Sequence, residues 1–103
     1  IHKLKSMGFN KIIIDPGLGF GKSIEHNYEI LKNLSDFNKL NLPILVGASR
    51  KSMIYTLLNV SATEALNGTT VVNTISLTNG ANILRVHDVE EAVECIKITN
   101  QIK

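Results

Sequence analysis

At three places in this sequence, a short apolar run is followed by charged side chains or a histidine. The residues are Asp15, Arg50, Lys51, Arg85 and His87. Four of the five carry or can take a positive charge, and an anion with several oxygens suits such a set, because Arg forms forked hydrogen bonds with phosphate. The carboxylate would accept hydrogen bonds from a heterocycle that offers adjacent amino and ring N–H groups. The residue types therefore predict a site for a polyanion and a flat ring rich in N–H groups.

The apolar runs that precede these residues predict three β-strands, which begin near residues 11, 43 and 82. Helical spacing of apolar residues follows each run, and the resulting order β-α-β-α-β-α requires parallel strands. The carboxyl ends of parallel strands share the edge where ligands bind. A single Arg or Lys at a strand end is usually a solvated surface charge, and Asp15 before Pro16 could be a turn former only. Charges at all three strand ends on one side favour the functional interpretation.

The helices are predicted from their caps and apolar spacing. Ser23 is expected to cap a helix that starts at Ile24, and a short helix is expected over residues 51–58. Two capping boxes are predicted, one at Ser61 with Glu64, opening a helix to about Thr78, and one at Asp88 with Glu91. The apolar face expected for the last helix consists of Val89, Ala92, Val93 and Ile96. Cys95, on the flank of that helix, is expected to be an inert small hydrophobe.

The composition excludes several classes of protein. A chain of 103 residues suits one domain, and 44% hydrophobic with 19% charged residues is typical of a globular protein. The net charge of +2 is too small for a nucleic-acid or membrane-surface binder. Cys95 is the single cysteine, which excludes a disulfide scaffold and suits a reducing compartment. With no apolar run long enough for a bilayer and no signal peptide at Ile1, a cytoplasmic protein is expected.

The glycine-rich segment 17–23 is a weak match to two phosphate-binding loops. The P-loop pattern requires a glycine where this chain has Pro16, and the dinucleotide pattern requires one at Lys22. The glycines still permit a tight loop with its backbone close to a ligand. Phe20, in the middle of this loop, is placed to lie against a flat ring.

The strand pattern alone is equally consistent with a doubly wound sheet and with a slice of an eight-stranded barrel. Three further segments decide between them, because together they resemble the C-terminal part of dihydropteroate synthases. These segments are residues 15–20 (Asp-Pro-Gly-Leu-Gly-Phe), 45–52 (Leu-Val-Gly-Ala-Ser-Arg-Lys-Ser) and 83–89 (Ile-Leu-Arg-Val-His-Asp-Val). The resemblance covers nearly the whole chain and implies α/β architecture, namely the last three βα units of a TIM (β/α)8 barrel. Residues 1–103 would then form a partial pterin-binding domain that lacks the first five units.

The resemblance also implies an activity. Enzymes of this family, the targets of sulfonamides, join 6-hydroxymethyl-7,8-dihydropterin pyrophosphate to p-aminobenzoate and release pyrophosphate with help from Mg²⁺. The metal ligands would belong to the earlier strands. Three residues are implied to take part in catalysis: Lys51 would donate to the pterin ring, Arg85 would lie on the pterin face and reach the pyrophosphate, and His87 would bind the leaving pyrophosphate.

Five further residues are implied to bind substrate. Asp15 would accept hydrogen bonds from the pterin, and Leu45 and Gly47 would line the pterin slot. Phe20 and Ser52 would sit by the p-aminobenzoate. Two positions depart from the family pattern, Ala48 in place of Thr and Gly21 in place of Ala.

Two alternatives stay open at this point. One is a related barrel that binds a pterin to move a methyl group, although such enzymes are expected to lack the Arg-Val-His-Asp set of residues 85–88. The other is a half-barrel that only folds or associates, without catalysis.

The stretch from Ala65 to Leu84 contains no charged residue over 20 positions. An outer barrel helix normally presents a charged face to solvent. This stretch therefore favours a homodimer packed through the helix, as the resemblance also implies, with Thr70 and Asn73 expected to point outward. The alternative is a weakly polar surface helix.

Overall fold

The computed structural model describes residues 12–19 and 21–103. Its strands and helices follow one another in the predicted order, with two helices in succession ahead of the last strand. The helices are α1 (Ile24–Lys32), α2 (Ser52–Leu58), α3 (Leu66–Thr78) and α4 (Val89–Thr99), the strands are β1 (Leu45–Val46) and β2 (Ile83–Leu84), and 3₁₀ turns cover Leu34–Leu40, Ala62–Glu64 and Asn100–Ile102. No helix in the described ranges is long and apolar enough to cross a membrane.

The strands run parallel, as predicted. β1 pairs with β2, with Leu45 opposite Ile83. On its other side, Ile14 forms a parallel bridge with Ile44. The Leu45 N–H donates to the carbonyl of Ile14 at 2.8 Å and the Ile14 N–H to the carbonyl of Pro43 at 2.9 Å. β1 is therefore the middle of three parallel segments, and the first segment is shorter than the predicted strand, of which residue 11 lies outside the described residues.

Side chains on successive strand residues point to opposite faces of this sheet. Ile14, Ile44 and Val46 are buried against the helices. Ile13 and Ile83, whose side chains lie on the other face, are 54% and 36% exposed. Consecutive apolar residues, such as those at 12–14, are typical of strands that are covered on both faces. Among the described residues, the helices cover one face only, and the other face carries the odd-numbered strand residues.

The hydrophobic core lies between the covered face of the sheet and the helices. Its largest fully buried side chains are Leu34, Ile44, Met53, Ile54 and Val46. The Tyr28 hydroxyl donates to the carbonyl of Met53 at 2.8 Å and thereby ties α1 to α2. This packing fixes the position of α2, whose first turn follows the residues at the end of β1.

Two of the predicted caps form, and one of them does so at a different place. Ser23 caps α1 through a hydrogen bond that its side chain accepts from the His26 N–H at 3.1 Å. The Ser61–Glu64 capping box is present, but it caps the start of the 3₁₀ turn, and α3 begins only at Leu66. The 3₁₀ turn ends at its C-cap residue, Ala65. The capping box therefore belongs to a separate turn ahead of α3.

The buried faces of the last two helices differ from those predicted. On α4, Val89 and Val93 are 63% and 40% exposed, and the residues buried in the packing are Ala92, Cys95 and Thr99. Their spacing of three and four residues puts them on one stripe, which confirms Cys95 as a buried side chain.

On α3, Asn73 is buried, with 3% of its surface exposed, so the expectation that it points outward is wrong. Thr70 is half-buried. The outward positions are Val71 and Ile75, which are 51% and 41% exposed, because they lie on the opposite side of the helix from Asn73.

Candidate active site

The predicted convergence of charged residues at the strand ends is present in the structure. Asp15 follows Ile14, and Arg85 follows β2 on the uncovered face of the sheet. Gly47 lies between them at the end of β1, so close to the guanidinium that a Cβ added there would be 2.9 Å from Arg85 Nη2. The missing side chain at position 47 is what allows Arg85 to lie across the strand end.

Lys51 completes this cluster from the start of α2. Its Nζ donates to the carbonyl of Leu18 at 2.8 Å, and a Cβ added at Gly19 would lie 3.0 Å from its Cδ. Partial burial lowers the pKa of the Lys51 amine, and the positive charge of Arg85 lowers it further, whereas Asp15 opposes the shift. The amine therefore lies within the electrostatic reach of both residues, and Leu18 and Gly19 of the loop after Asp15 pack against the Lys51 side chain.

The contacts of Asp15 confirm its role as a turn former and leave the ligand-binding interpretation a prediction. Its Oδ1 accepts the Gly17 N–H at 2.9 Å, which makes the residue a turn former. The side chain is nevertheless exposed, and within the described residues Oδ2 receives no hydrogen bond. One carboxylate oxygen thus builds the loop while the other remains available to a ligand.

His87 is held by Ser49, a contact that the sequence did not predict. Ser49 is buried, with 4% of its surface exposed. Its Oγ lies 2.9 Å from Nδ1 of His87 and accepts the backbone N–H of the same residue at 3.2 Å. The histidine itself is exposed, so the ring is fixed at one side and open at the other.

Arg50 does not join the anion-binding set, although its charge suggested this. Its Nε and Nη2 donate to the two oxygens of Asp88 at 2.9 and 3.0 Å, and Nη1 donates to the carbonyls of Ala62 and Thr63. Its backbone, in the left-handed region at φ 53°, donates to Thr69 Oγ1 at 3.0 Å. The guanidinium is therefore fully engaged in structural contacts, because it links its own loop to the 3₁₀ turn at Ala62 and to the loop at Asp88.

The same contact corrects the prediction for Asp88. This residue is the N-cap of α4, but its side chain makes no capping hydrogen bond. The carboxylate is engaged by Arg50 instead, and that hydrogen bond lowers the pKa of Asp88. Arg50 and Asp88 are thus structural partners, one residue away from Ser49 and His87 respectively.

Asn27 is a second residue that the sequence analysis missed. It is 1% exposed, its Oδ1 accepts the Gly19 N–H at 2.7 Å and its Nδ2 donates to the carbonyl of Ser23 at 2.9 Å. These bonds hold the glycine-rich loop against α1. The available signal was its position four residues before Leu31 on the buried stripe of the helix.

The remaining predicted residues have simpler settings. Leu45 is half-buried on β1, on the same face as Gly47. Ser52 is exposed at the first residue of α2, beside Lys51. Phe20 lies outside the described residues. The structure therefore brings Asp15, Gly47, Lys51 and Arg85 into one cluster, with His87 on the same rim.

Comparison with protein families gives one match over most of the chain. The family described as "pterin binding enzyme" matches residues 1–87. The dihydropteroate synthase of Escherichia coli K12 is 51% identical over 88 residues, which are 85% of this chain and 31% of that protein. The bifunctional dihydropteroate synthase/dihydropteroate reductase of Helicobacter pylori is 42% identical over 103 residues, which are 27% of its length. The chain thus spans about a third of the curated relatives it matches.

Solved structures give the same answer for the fold. A Yersinia pestis dihydropteroate synthase with a pterine-sulfa conjugate superimposes with a TM-score of 0.93 at 43% identity, covering 98% of this chain and 41% of that one. The 7,8-dihydropteroate synthase of Vibrio fischeri gives 0.92 at 42% identity, covering 99% and 38%. The predicted fold class, part of a TIM barrel, is confirmed, and the doubly wound sheet is excluded.

Proposed function

The chain belongs to the pterin-binding enzyme family, and we propose that it supplies three strand ends of a dihydropteroate synthase active site. The reaction would condense 6-hydroxymethyl-7,8-dihydropterin pyrophosphate with p-aminobenzoate to give 7,8-dihydropteroate and pyrophosphate. The observation that carries this proposal is the cluster of Asp15, Lys51 and Arg85 around the bare backbone of Gly47. The remaining five βα units of the barrel would come from the rest of the protein.

The cluster suits a pterin for three physical reasons. The outward oxygen of Asp15 can accept N–H groups from the amino-pyrimidine edge of the ring. Lys51 can donate to a ring acceptor from the other side, and Arg85 presents a flat guanidinium that stacks on an aromatic face. Gly47 lets the guanidinium of Arg85 lie flat along the face that Leu45 shares, and the ring would bind against that guanidinium.

The chemistry would need little beyond positioning and charge stabilisation. The aniline nitrogen of p-aminobenzoate attacks the methylene carbon of the pterin, so a C–N bond forms while the C–O bond to pyrophosphate breaks. The electron pair of the broken bond leaves with the pyrophosphate, and the attacking nitrogen gives up a proton. Arg85 and His87 would stabilise the negative charge that develops on the leaving group.

The second substrate would enter beside α2. Ser52, exposed at the first residue of that helix, would hydrogen-bond the carboxylate of p-aminobenzoate, and Phe20 would contact its ring. A structure of the Yersinia pestis relative is described as a sulfonamide drug complex. That description supports a p-aminobenzoate-like ligand in the family.

Mg²⁺ belongs to this proposal through the family resemblance alone. Within residues 12–19 and 21–103, no group of three or more His, Cys, Asp or Glu side chains could hold a metal ion. The residues described here therefore do not fit a metal site, and every step above uses the side chains of the chain itself.

A homodimer and a cytoplasmic location also belong to the proposal. An apolar groove of about 250 Å³ lies between α2 and α3, and Leu57, Leu58, Val71 and Ile75 line its rim. These four side chains are between 41% and 59% exposed. A second copy of the protein would cover them, which also accounts for the absence of charge from Ala65 to Leu84.

The direct test is a chimera in which this chain replaces the matching segment of the Escherichia coli enzyme. We expect the chimera to release pyrophosphate from the two substrates and to lose that activity on Lys51→Ala. The matched control is Lys97→Ala, which removes an exposed lysine of α4. The 103-residue chain alone is expected to be inactive, because the other strand ends are missing.

Three results would contradict the proposal. The first is a folded chimera that binds pterin but makes no dihydropteroate. The second is a chimera that transfers a methyl group instead, in agreement with the alternative barrel enzyme. The third is turnover by the isolated chain, which would show that the missing strands are not needed.

A further inference from the structure

The contact between Ser49 and His87 joins the loops that follow β1 and β2. The serine side chain is buried, and its Oγ makes two short contacts, both with His87. One is to the backbone N–H at 3.2 Å and the other to the ring Nδ1 at 2.9 Å. A backbone N–H is always a donor, so Oγ accepts in the first contact.

The direction of the second contact follows from the serine's own proton. A buried hydroxyl proton needs an acceptor, because leaving a buried donor unsatisfied costs free energy. Among the described residues, the acceptor in contact with this hydroxyl is Nδ1 of His87. If Oγ–H donates to Nδ1, that nitrogen carries no proton. The neutral imidazole must then carry its proton on Nε2.

We propose that Ser49 is a positioning residue that fixes the Nε2-protonated tautomer of His87 and directs that N–H towards the anion on the rim. Nε2 lies across the ring from the serine, on a residue that is exposed. An Nε2–H group donates to a phosphate oxygen, whereas the other tautomer would present a lone pair to the negative charge. The anion would be the leaving pyrophosphate, and this identification rests on the proposed function.

A second link keeps the two loops at the distance that this geometry needs. Arg50 follows Ser49 in the chain and Asp88 follows His87, and the two side chains form a forked ion pair with N···O distances of 2.9 and 3.0 Å. The serine–histidine contact therefore lies next to a rigid connection. Among residues 12–19 and 21–103, the ring is held at Nδ1 and no hydrogen bond to Nε2 forms, so its movement is reduced while Nε2 stays open.

The tautomer can be measured without turnover, by ¹⁵N NMR of the full-length protein labelled at histidine. The His87 signals are assigned by their loss in His87→Gln. We expect Nε2 to be protonated and Nδ1 to show the shift of a nitrogen that accepts a hydrogen bond. In Ser49→Ala the Nδ1 signal should move to that of an unbonded acceptor, and Ser49→Thr, which keeps a hydroxyl, should restore it.

The matched control is Ser76→Ala. Ser76 is also a buried serine, but its hydroxyl donates to the carbonyl of Val72 within α3. This variant should leave the His87 spectrum unchanged. A wild-type protein with the proton on Nδ1, or an Nδ1 shift that is the same with and without the Ser49 hydroxyl, would overturn the proposal. If Ser49→Ala does not fold, a wild-type Nδ1 shift typical of an unbonded acceptor still overturns the proposal.

Inorganic pyrophosphate is the probe for the functional part. Calorimetry on Ser49→Ala should show an affinity weakened by roughly 2- to 10-fold, the range expected for one hydrogen bond. The Michaelis constant for p-aminobenzoate should stay unchanged. An unchanged pyrophosphate affinity would overturn the role assigned to the serine. A protein with the expected tautomer but without synthase activity would instead refute the proposed function, so the two failures are distinguishable.

Discussion

Asp15 uses one carboxylate oxygen in the fold, the proposed function gives the other to the ligand, and a single substitution separates the two roles. In Asp15→Asn the amide oxygen can still accept the Gly17 N–H and keep the turn. The amide NH₂ would then face the N–H groups of the pterin, which need an acceptor. We expect pterin binding to weaken by about 1.5–3 kcal/mol, the range for a hydrogen bond to a charged group.

Calorimetry with the pterin substrate measures this loss in the full-length protein, and p-aminobenzoate binding should change less. Asp36→Asn is the matched control, since Asp36 is an exposed acid in the turn after α1. Unchanged pterin affinity in Asp15→Asn would remove Asp15 from the site.

Gly47 is the residue that makes space for the guanidinium of Arg85. An alanine at this position would place its Cβ 2.9 Å from Nη2, so the end of the arginine side chain must shift. We expect Gly47→Ala to raise the Michaelis constant for the pterin pyrophosphate about 10-fold or more, a loss of about 1.4 kcal/mol. The melting temperature should change little, because the displaced group is the flexible end of a side chain.

This interpretation therefore requires a clear rise in the Michaelis constant together with a nearly unchanged melting temperature. A variant that melts much earlier but keeps the wild-type Michaelis constant would assign Gly47 to the fold instead of the site.

The sequence alone predicted residues that are recognisable by their charge. It missed residues whose role depends on a partner that is close in space but not in sequence. Asp15, Lys51 and Arg85 are charged residues after apolar runs, and the structure brings them together as predicted, whereas Arg50 fits the same pattern and pairs with Asp88 instead. Ser49 and Asn27 are small polar residues whose partners lie 38 and eight positions away. No local pattern distinguishes Ser49 from a residue that contacts water, and the position of Asn27 on the buried stripe of α1 indicates burial but not its partner.

At the scale of elements, the ion pair between Arg50 and Asp88 connects the loop after β1 with the start of α4. The hydrogen bonds from Arg50 lower the folded pKa of Asp88 below its unfolded value. A carboxylate with a depressed pKa stabilises the fold above its unfolded pKa, and this stabilisation is lost as pH falls through the folded pKa. The pair should therefore matter at neutral pH and not in strong acid.

Asp88→Asn tests this directly. We expect the variant to melt at a lower temperature than the wild type at pH 7, and the difference to shrink as the pH is lowered below about 4, the ordinary pKa of Asp. Thermal unfolding followed by circular dichroism across this range gives the two curves. Glu90→Gln, in the first turn of the same helix, is the control and should show no such difference. Parallel curves for wild type and Asp88→Asn would contradict the assignment.

Helices were predictable in number and approximate extent, but their exact starts and buried faces were not. The Ser61–Glu64 box is a local signal, and it formed as predicted, yet tertiary packing put α3 two residues beyond it. On α4, the predicted face used Val89 and Val93 because they are the most apolar residues. Of the predicted residues, Ala92 is buried, and the packed stripe continues with Cys95 and Thr99, because these small side chains allow α3 to approach closely.

For the whole molecule, the order of strands and helices followed from periodicity, whereas the closure of the sheet did not. Three parallel segments are compatible with an open sheet or a barrel, because the difference lies in strands beyond them. The family resemblance of three short motifs made that choice, and the structural comparison agrees with it. The uncovered sheet face around Ile13 and Ile83 is where the remaining part of a barrel would enclose the interior.

In the proposed homodimer, the outer surface of α2 and α3 forms the contact between the two molecules. Val71 and Ile75 are the exposed apolar residues of a helix that has no charged side chain, and Leu57 and Leu58 extend the patch. If two copies pack through this patch, the interface should bury roughly 1,200–2,000 Å² in total. A lysine at Asn73 would be uninformative, because that residue is buried and the charge would disturb the core.

Ile75→Lys is the informative change, since it puts a charge into the patch without entering the core. We expect light scattering to show a dimer for the full-length wild type at micromolar concentration and a monomer for Ile75→Lys, with the melting curve still cooperative. Ser35→Lys, at an exposed position in the turn after α1, adds the same charge elsewhere and should leave the dimer intact. A wild-type monomer, or a dimer that tolerates Ile75→Lys, would mean that α3 is a weakly polar surface helix that faces water.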